Sequence, residues 1–239
     1  MVRDVSATLA LQDVLLQYRK ERIQSVDISQ TQAGFTNLLD YANWTLESGA
    51  QVALCGPSGC GKTSLLNVLA GIEKPASGSI RWGDVELAKL SARQQDSWRR
   101  ESLGLVFQQF HLFPCLSALE NVLLPTRFVA LAPTAAMRER AQTLLARVGV
   151  RANADISVLS RGEQQRVAVA RALLMSPSVV LADEPTASLD TNTAQRVATM
   201  LRDLCREQRS TLIVATHDRD IASAFGAIYD MANGKITLR

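Results

Sequence analysis

Gly56-Pro57-Ser58-Gly59-Cys60-Gly61-Lys62-Thr63 has the spacing GxxxxGK[ST] and stands between an apolar run and a helical one. Small residues in this order let successive backbone N–H groups close around phosphate oxygens, and the helix N-terminus behind them adds partial positive charge. Lys62 then bridges phosphates and Thr63 offers a hydroxyl to Mg²⁺, with Ser64 counted among the binding residues. The ligand this chemistry fits is a nucleoside triphosphate. A chance glycine-rich turn is the alternative, and placement between a strand and a helix argues against it.

Two further clusters carry polar chemistry. The apolar run Val179-Val180-Leu181-Ala182 ends in Asp183-Glu184. A buried strand tip aims Asp183 at the metal shell beside Thr63, while Glu184 points elsewhere, toward an attacking water. In Leu159-Ser160-Arg161-Gly162-Glu163-Gln164-Gln165-Arg166, Ser160 caps a helix and Glu163 completes a capping box. The same helix start is also an anion site, able to read the γ-phosphate of a nucleotide held elsewhere. Capping alone explains the pattern, and both readings stand.

Together these motifs resemble ATP-binding cassette ATPases of membrane transporters, over about residues 22–239. The resemblance implies an α/β fold: a P-loop NTPase with a RecA-like mixed sheet, an antiparallel N-terminal β-subdomain and a helical lobe inserted at about 91–157. It gives Gln108 the role of the Q-loop glutamine that senses Mg²⁺ and water, with Thr63 and Asp183 as its companions at the metal. Asp190, in Ser188-Leu189-Asp190, falls at the D-loop, and His217 at the switch position that holds the γ-phosphate beside Glu184. The LSGGQ motif is matched with Arg161 for a glycine and Glu163 for the glutamine, which keeps Ser160 and Gly162 for phosphate contact. Implied cofactors are ATP and Mg²⁺. Implied partners are a second cassette, as a homodimer or heterodimer enclosing two ATP molecules, and an integral membrane permease that holds the chain at the cytoplasmic face. The stretches Leu105–Gln108, His111–Pro114, Glu120–Val122, Ser160–Arg166 and Ala182–Thr186 are most similar to the macrolide-exporter and lipoprotein-release group. The adenine-stacking aromatic of such cassettes falls by spacing at Gln32, flanked by Tyr18 and Phe35.

The elements that must position these residues follow from hydrophobic periodicity. Strands and helices alternate, which predicts a largely parallel sheet covered by helices. Residues 22–29 read as an early strand, and Trp44–Leu46 and Gln51–Cys55 frame a Glu47-Ser48-Gly49 turn as a hairpin followed by a core strand. Lys62–Ala70 is a helix closed by Gly71, and Ser91–Asp155, broken at Pro114, Pro125 and Pro133, reads as the helical lobe. Val179–Asp183 and Thr211–Thr216 read as strands, Thr193–Gln208 as a helix and Ile228–Arg239 as an edge hairpin turning at Asn233-Gly234. Residues 1–21 precede this scheme as an extension, with Leu9–Tyr18 a short amphipathic helix. The apolar residues between Phe107 and Leu124 read mainly as lobe core, with part of the patch left to form a groove for a permease helix.

Composition narrows the class. The chain has 239 residues, 47% hydrophobic, enough for one large domain with a lobe. Its 26 basic and 23 acidic residues leave a net charge of +3, too little to advertise nucleic-acid binding, and no apolar run is long enough to span a bilayer. Cys55, Cys60, Cys115 and Cys205 include no CxxC pair and read as reduced thiols. Cys60, in the phosphate loop, reads as a passive small residue or as a thiolate favoured by the helix start. Rival classes are a nucleic-acid or ribosome ATPase and a degenerate module that binds ATP without hydrolysing it. A nucleotide kinase or GTPase gives the Ser160 helix and His217 no role.

Overall fold

A computed structural model describes residues 7–19, 31–32, 35–128 and 132–239. In chain order the strands are β1 (Leu9–Arg19), β2 (Thr31–Gln32), β3 (Phe35–Leu46), β4 (Gln51–Cys55), β5 (Ser77–Trp82), β6 (Val85–Glu86), β7 (Leu103–Val106), β8 (Val179–Asp183), β9 (Thr211–Thr216), β10 (Ala227–Ala232) and β11 (Lys235–Leu238). The helices are α1 (Lys62–Leu69), α2 (Ala92–Ser102), α3 (Ala118–Leu123), α4 (Ala135–Arg147), α5 (Arg161–Leu173), α6 (Thr191–Glu207) and α7 (Arg219–Ala222).

The strands form a five-stranded antiparallel sheet in the order β2-β3-β1-β5-β6 and a six-stranded sheet in the order β11-β10-β4-β9-β8-β7. The second sheet is parallel except at β10–β11. Its central strands are apolar on both faces because each face meets a different core, and the period of two sorts the residues. Val52, Leu54, Val179, Leu181, Ile213 and Ala215 join one core with α1 and the antiparallel sheet. Ala53, Val180, Ala182, Leu212 and Val214 join the other, with α3 to α6. The phosphate loop thus leaves a strand clamped on both sides, and Trp82 Nε1 donates to Leu69 O at 2.9 Å, satisfying a carbonyl at the end of α1.

Several expectations need correction. Leu9–Tyr18 is a strand, and β1 lies in the middle of the antiparallel sheet rather than in an extension outside the domain. A bulge between Leu11 and Val14, with Asp13 at φ 50°, shifts the alternation by one residue. The apolar series Leu11, Val14, Leu15, Tyr18 therefore imitates helical spacing. The turn at residues 47–50 joins no hairpin: it carries the chain from one sheet to the other, and Gly49 N donates to Thr211 Oγ1 at 2.9 Å. Nor does the lobe begin at residue 91. Leu103–Val106 pairs in parallel with β8 in the main sheet, and Trp98 and Arg99 hold α2 against the antiparallel side. A strand this short, set directly after a helix, leaves no periodic signature of its own. The strand expected at 22–29 lies outside the described residues. The hairpin at Asn233-Gly234 forms where expected, both residues having positive φ (50° and 74°) as a type I′ turn requires.

Candidate nucleotide site

Between β4 and α1 the chain takes conformations that only its glycines adopt at low cost: φ is 80° at Gly59 and 102° at Gly61. Gly56 is required by space, because a Cβ there would lie 2.5 Å from Met231 O. The variant Gly56→Ala is expected to cost about 1–3 kcal/mol, by analogy with overpacked cores. In a thermal melt that is a drop of about 2–4 °C per kcal/mol, and an unchanged melting temperature would refute the contact.

Lys62 is 6% exposed, and its ammonium donates to Gly56 O at 2.8 Å and Pro57 O at 3.1 Å. Glu184 Oε1 stands 3.8 Å away. The loop is thus preorganised around a cation aimed at its own centre. Ser58, Gly59, Gly61, Lys62, Thr63 and Ser64 line a cleft of about 500 Å³ together with Gln108, Asp183, Glu184, His217 and Leu38. Residues scattered from position 38 to 217 are therefore brought to one cleft. Leu38, from β3, gave no signal in the sequence, since only the packing of the antiparallel sheet on the loop brings it there. Cys60 is half-buried, and burial pushes its thiol up, which favours the passive reading over a reactive thiolate. The backbone at Tyr18 and Phe35 pairs within β1 and β3, while Gln32 lies in β2.

Thr63 Oγ1 donates to Asp183 Oδ2 at 2.8 Å, and Asp183 Oδ1 is buried with no hydrogen-bond partner. Burial raises the pKa of this carboxyl, with the Thr63 hydrogen bond opposing. A buried, unpartnered carboxylate oxygen beside a hydroxyl fits Mg²⁺, which takes one or two carboxylates and completes its shell from phosphates and water. Among the described residues no group of three or more His, Cys, Asp and Glu gathers around a common point.

Glu184 has φ 44°. Strict alternation along β8 would send Asp183 and Glu184 to opposite faces, but this left-handed turn returns Glu184 to the cleft that Asp183 lines. Such strain costs about 1–3 kcal/mol and persists only where neighbours hold it. Here Glu184 N donates to Ala215 O at 2.9 Å, and Glu184 Oε1 meets His217 Nδ1 at 2.8 Å.

Ser160, Gly162 and Asp190 are not brought to this cleft. They line a second one of about 600 Å³, with Arg147, Arg161, Arg166 and Arg196 among its walls. Ser160 caps α5: Glu163 N donates to its Oγ at 3.3 Å, and Glu163 Oε2 accepts from Ser160 N at 2.9 Å and Oγ at 2.7 Å. These bonds to Ser160 hold the Glu163 carboxyl below its usual range, so the acid at this helix start is turned back into the cap. Asp190 caps α6 by accepting from Thr193 N at 3.1 Å, and hydrogen bonding to the Thr193 side chain first, then to its backbone, holds the Asp190 carboxyl below its usual range. Gly162 leaves no space for a side chain against α6, since a Cβ would lie 2.7 Å from Thr193 Cγ2.

A strand-to-helix glycine loop, a Thr63–Asp183 hydrogen bond beside it and a capped helix facing a second cleft now stand together, and the family model described as ABC transporter matches residues 39–187. The chain belongs to the ABC transporter family. This cassette is similar to the lipoprotein-releasing system ATP-binding protein LolD of Maricaulis maris, 42% identical over 209 residues, which cover 87% of this chain and 91% of that one. A LolD protein of Rhodospirillum rubrum is 41% identical over 202 residues, 84% and 89% of the two chains. An uncharacterized ABC transporter ATP-binding protein of Mycobacterium tuberculosis is 46% identical over 178 residues, 74% of this chain but 53% of that protein, so the chain spans about half the length of that relative. Among solved structures, the cassette resembles the dimeric, post-hydrolysis ATP-binding cassette MJ0796 bound to ADP and Pi. The TM-score is 0.81 and the identity 32%, with 97% of each chain covered.

Proposed function

We propose that this cassette binds ATP with Mg²⁺, hydrolyses it between two head-to-tail copies, and drives a separate membrane permease of the lipoprotein-release type. The observation that carries this reading is the division of the site. One cleft gathers the phosphate loop, Asp183, Glu184, His217 and Gln108, while Ser160 and Gly162 open a cleft of their own. Each half lacks what the other holds, and a twofold pairing completes both. The dimer of the related cassette MJ0796 with ADP and Pi supports this, as do the LolD relatives.

In the proposed reaction the γ-phosphate lies over the loop N–H groups and Lys62; Thr63 and Asp183 would hold Mg²⁺, with Gln108 lining the same cleft, and the ion would neutralise charge on the phosphate oxygens. Glu184 takes a proton from the attacking water as the new P–O bond forms and the bond to ADP breaks. His217, hydrogen-bonded to Glu184, orients that carboxylate and reaches the γ-phosphate. From the partner copy, the Ser160 N-cap contacts the same phosphate, and Asp190 lies beside it.

No helix among the described residues is long and apolar enough to cross a membrane. The permease contact is proposed for a groove of about 460 Å³ lined by Leu103, Leu105, Phe107, Phe113, Leu124 and Phe128. Phe113 and Phe128 are 53% and 70% exposed, whereas Leu112 and Leu119 pack into the lobe core, which divides the apolar patch into a lining and a core. An apolar groove suits the cytoplasmic helix of a permease better than a nucleic acid, and would hold the cassette at the inner face of the membrane.

Steady-state phosphate release by the purified chain tests the reading, together with detergent co-purification of a membrane protein. Release is expected only with Mg²⁺ and to rise more than linearly with protein concentration at low concentration. Metal-independent release, or release strictly proportional to protein over that range, would count against the paired site.

A further inference from the structure

The nucleotide cleft and the apolar groove share one short segment. Gln108 lines the cleft, while Phe107 and His111 line the groove. The segment 107–111 belongs to no helix or strand, and His111 sits at φ 46°, where a residue with a Cβ is strained by about 1–3 kcal/mol unless its surroundings hold it. The Phe107 and His111 rings meet edge-on at 5.3 Å, which closes the segment on itself. Its external fastening is Arg171: Nη1 donates to His111 O and Nη2 to Phe110 O, each at 2.6 Å. These two bonds span 60 and 61 residues of sequence. Arg171 itself lines the groove, and it rides near the end of the 13-residue helix α5 whose N-cap is Ser160.

We propose that Arg171 is a positioning residue for ATP hydrolysis: its planar guanidinium fixes the Phe110–His111 backbone, so that Gln108 stands at the metal and water end of the cleft. A helix seated in the groove then moves Gln108 by displacing this clamp, and α5 ties the clamp to the Ser160 cap that serves the partner's nucleotide. The inference rests on the ATPase reading above and assigns a part to a side chain that touches neither nucleotide nor metal.

The test compares Arg171→Lys and Arg171→Met with Arg140→Met in the full chain. Arg140 is a clamp of the same kind, donating to Leu174 O at 2.7 Å and Leu173 O at 3.2 Å, with no bond to the 107–111 segment. Lysine carries a compact ammonium on a flexible stem without the rigid planar fork, so it does not fix Phe110 O and His111 O in the arginine geometry. Both Arg171 variants are expected to lower kcat about tenfold, equal to 1.4 kcal/mol. They should leave the KM for ATP within about twofold while raising the Mg²⁺ concentration for half-maximal rate. Hydrogen exchange in the peptide spanning 107–113 should quicken. Arg140→Met is expected to lower the melting temperature while leaving kcat, Mg²⁺ dependence and exchange in that peptide unchanged. Unchanged kcat and Mg²⁺ dependence in the Arg171 variants, or effects matched by Arg140→Met, overturn the proposal. Failure of the ATPase reading shows separately, as a wild-type chain without turnover or a Glu184→Gln variant with full turnover, and in that case unaltered exchange at 107–113 still overturns the clamp.

Discussion

Glu184→Gln is expected to bind ATP, to lose hydrolysis by about two to four orders of magnitude, the range of a general base, and to accumulate as a dimer when ATP is added. Glutamine keeps the shape of the side chain and an oxygen able to accept from His217, so the 2.8 Å contact and the left-handed turn at φ 44° have no steric reason to change. What is lost is the basic carboxylate that receives the proton. A negative charge near the γ-phosphate also disappears, which relieves repulsion and favours the ATP-bound pair over the free chains. Phosphate release and size exclusion with and without ATP read both effects. A monomer under those conditions contradicts the pairing of the two clefts, and undiminished turnover removes Glu184 from the chemistry.

Lys62→Ala is expected to weaken triphosphate binding by about 2–5 kcal/mol, the cost of deleting a buried charge from its partner. Lys62 is 6% exposed, and its ammonium is held by two loop carbonyls. Alanine removes the positive charge between the γ-phosphate and those carbonyls, so like-signed oxygens would face each other there. The fold should persist, because Gly56, Gly59 and Gly61 set the loop backbone and the β4 and α1 side chains remain packed in the core shared with the antiparallel sheet. Calorimetric titration with ATP, beside a far-ultraviolet spectrum to verify the fold, measures the effect. An unchanged affinity would place the phosphates elsewhere.

Legibility in the sequence followed the range of the interaction. The phosphate loop could be read because all its parts lie in one strand, one loop and one helix start, with glycine conformations decided residue by residue. The Ser160–Glu163 box was equally plain, since its bonds span three positions. Strand β1 was misread because one bulge moved its apolar residues into a helical phase, and β7 because four residues carry too little pattern to separate them from the helix before. Side chains reached only through packing left no local trace: Leu38 comes to the loop from the other sheet, and Arg171 meets its carbonyls 60 residues away.

The sequence by itself determined what the parts can do: bind phosphate at a glycine loop, place two carboxylates at a strand end, cap a helix with Ser160 and Glu163, and belong by motif order to ATP-binding cassettes. Tertiary structure alone decided which parts meet. It put Glu184 back beside Asp183 through a left-handed turn and moved β1 and β7 into sheets. It also separated Ser160 from the phosphate loop and fastened the wall between groove and cleft with Arg171. Local propensity acts over a few residues, whereas these arrangements depend on long-range packing that selects one strand register and holds strained backbone in place.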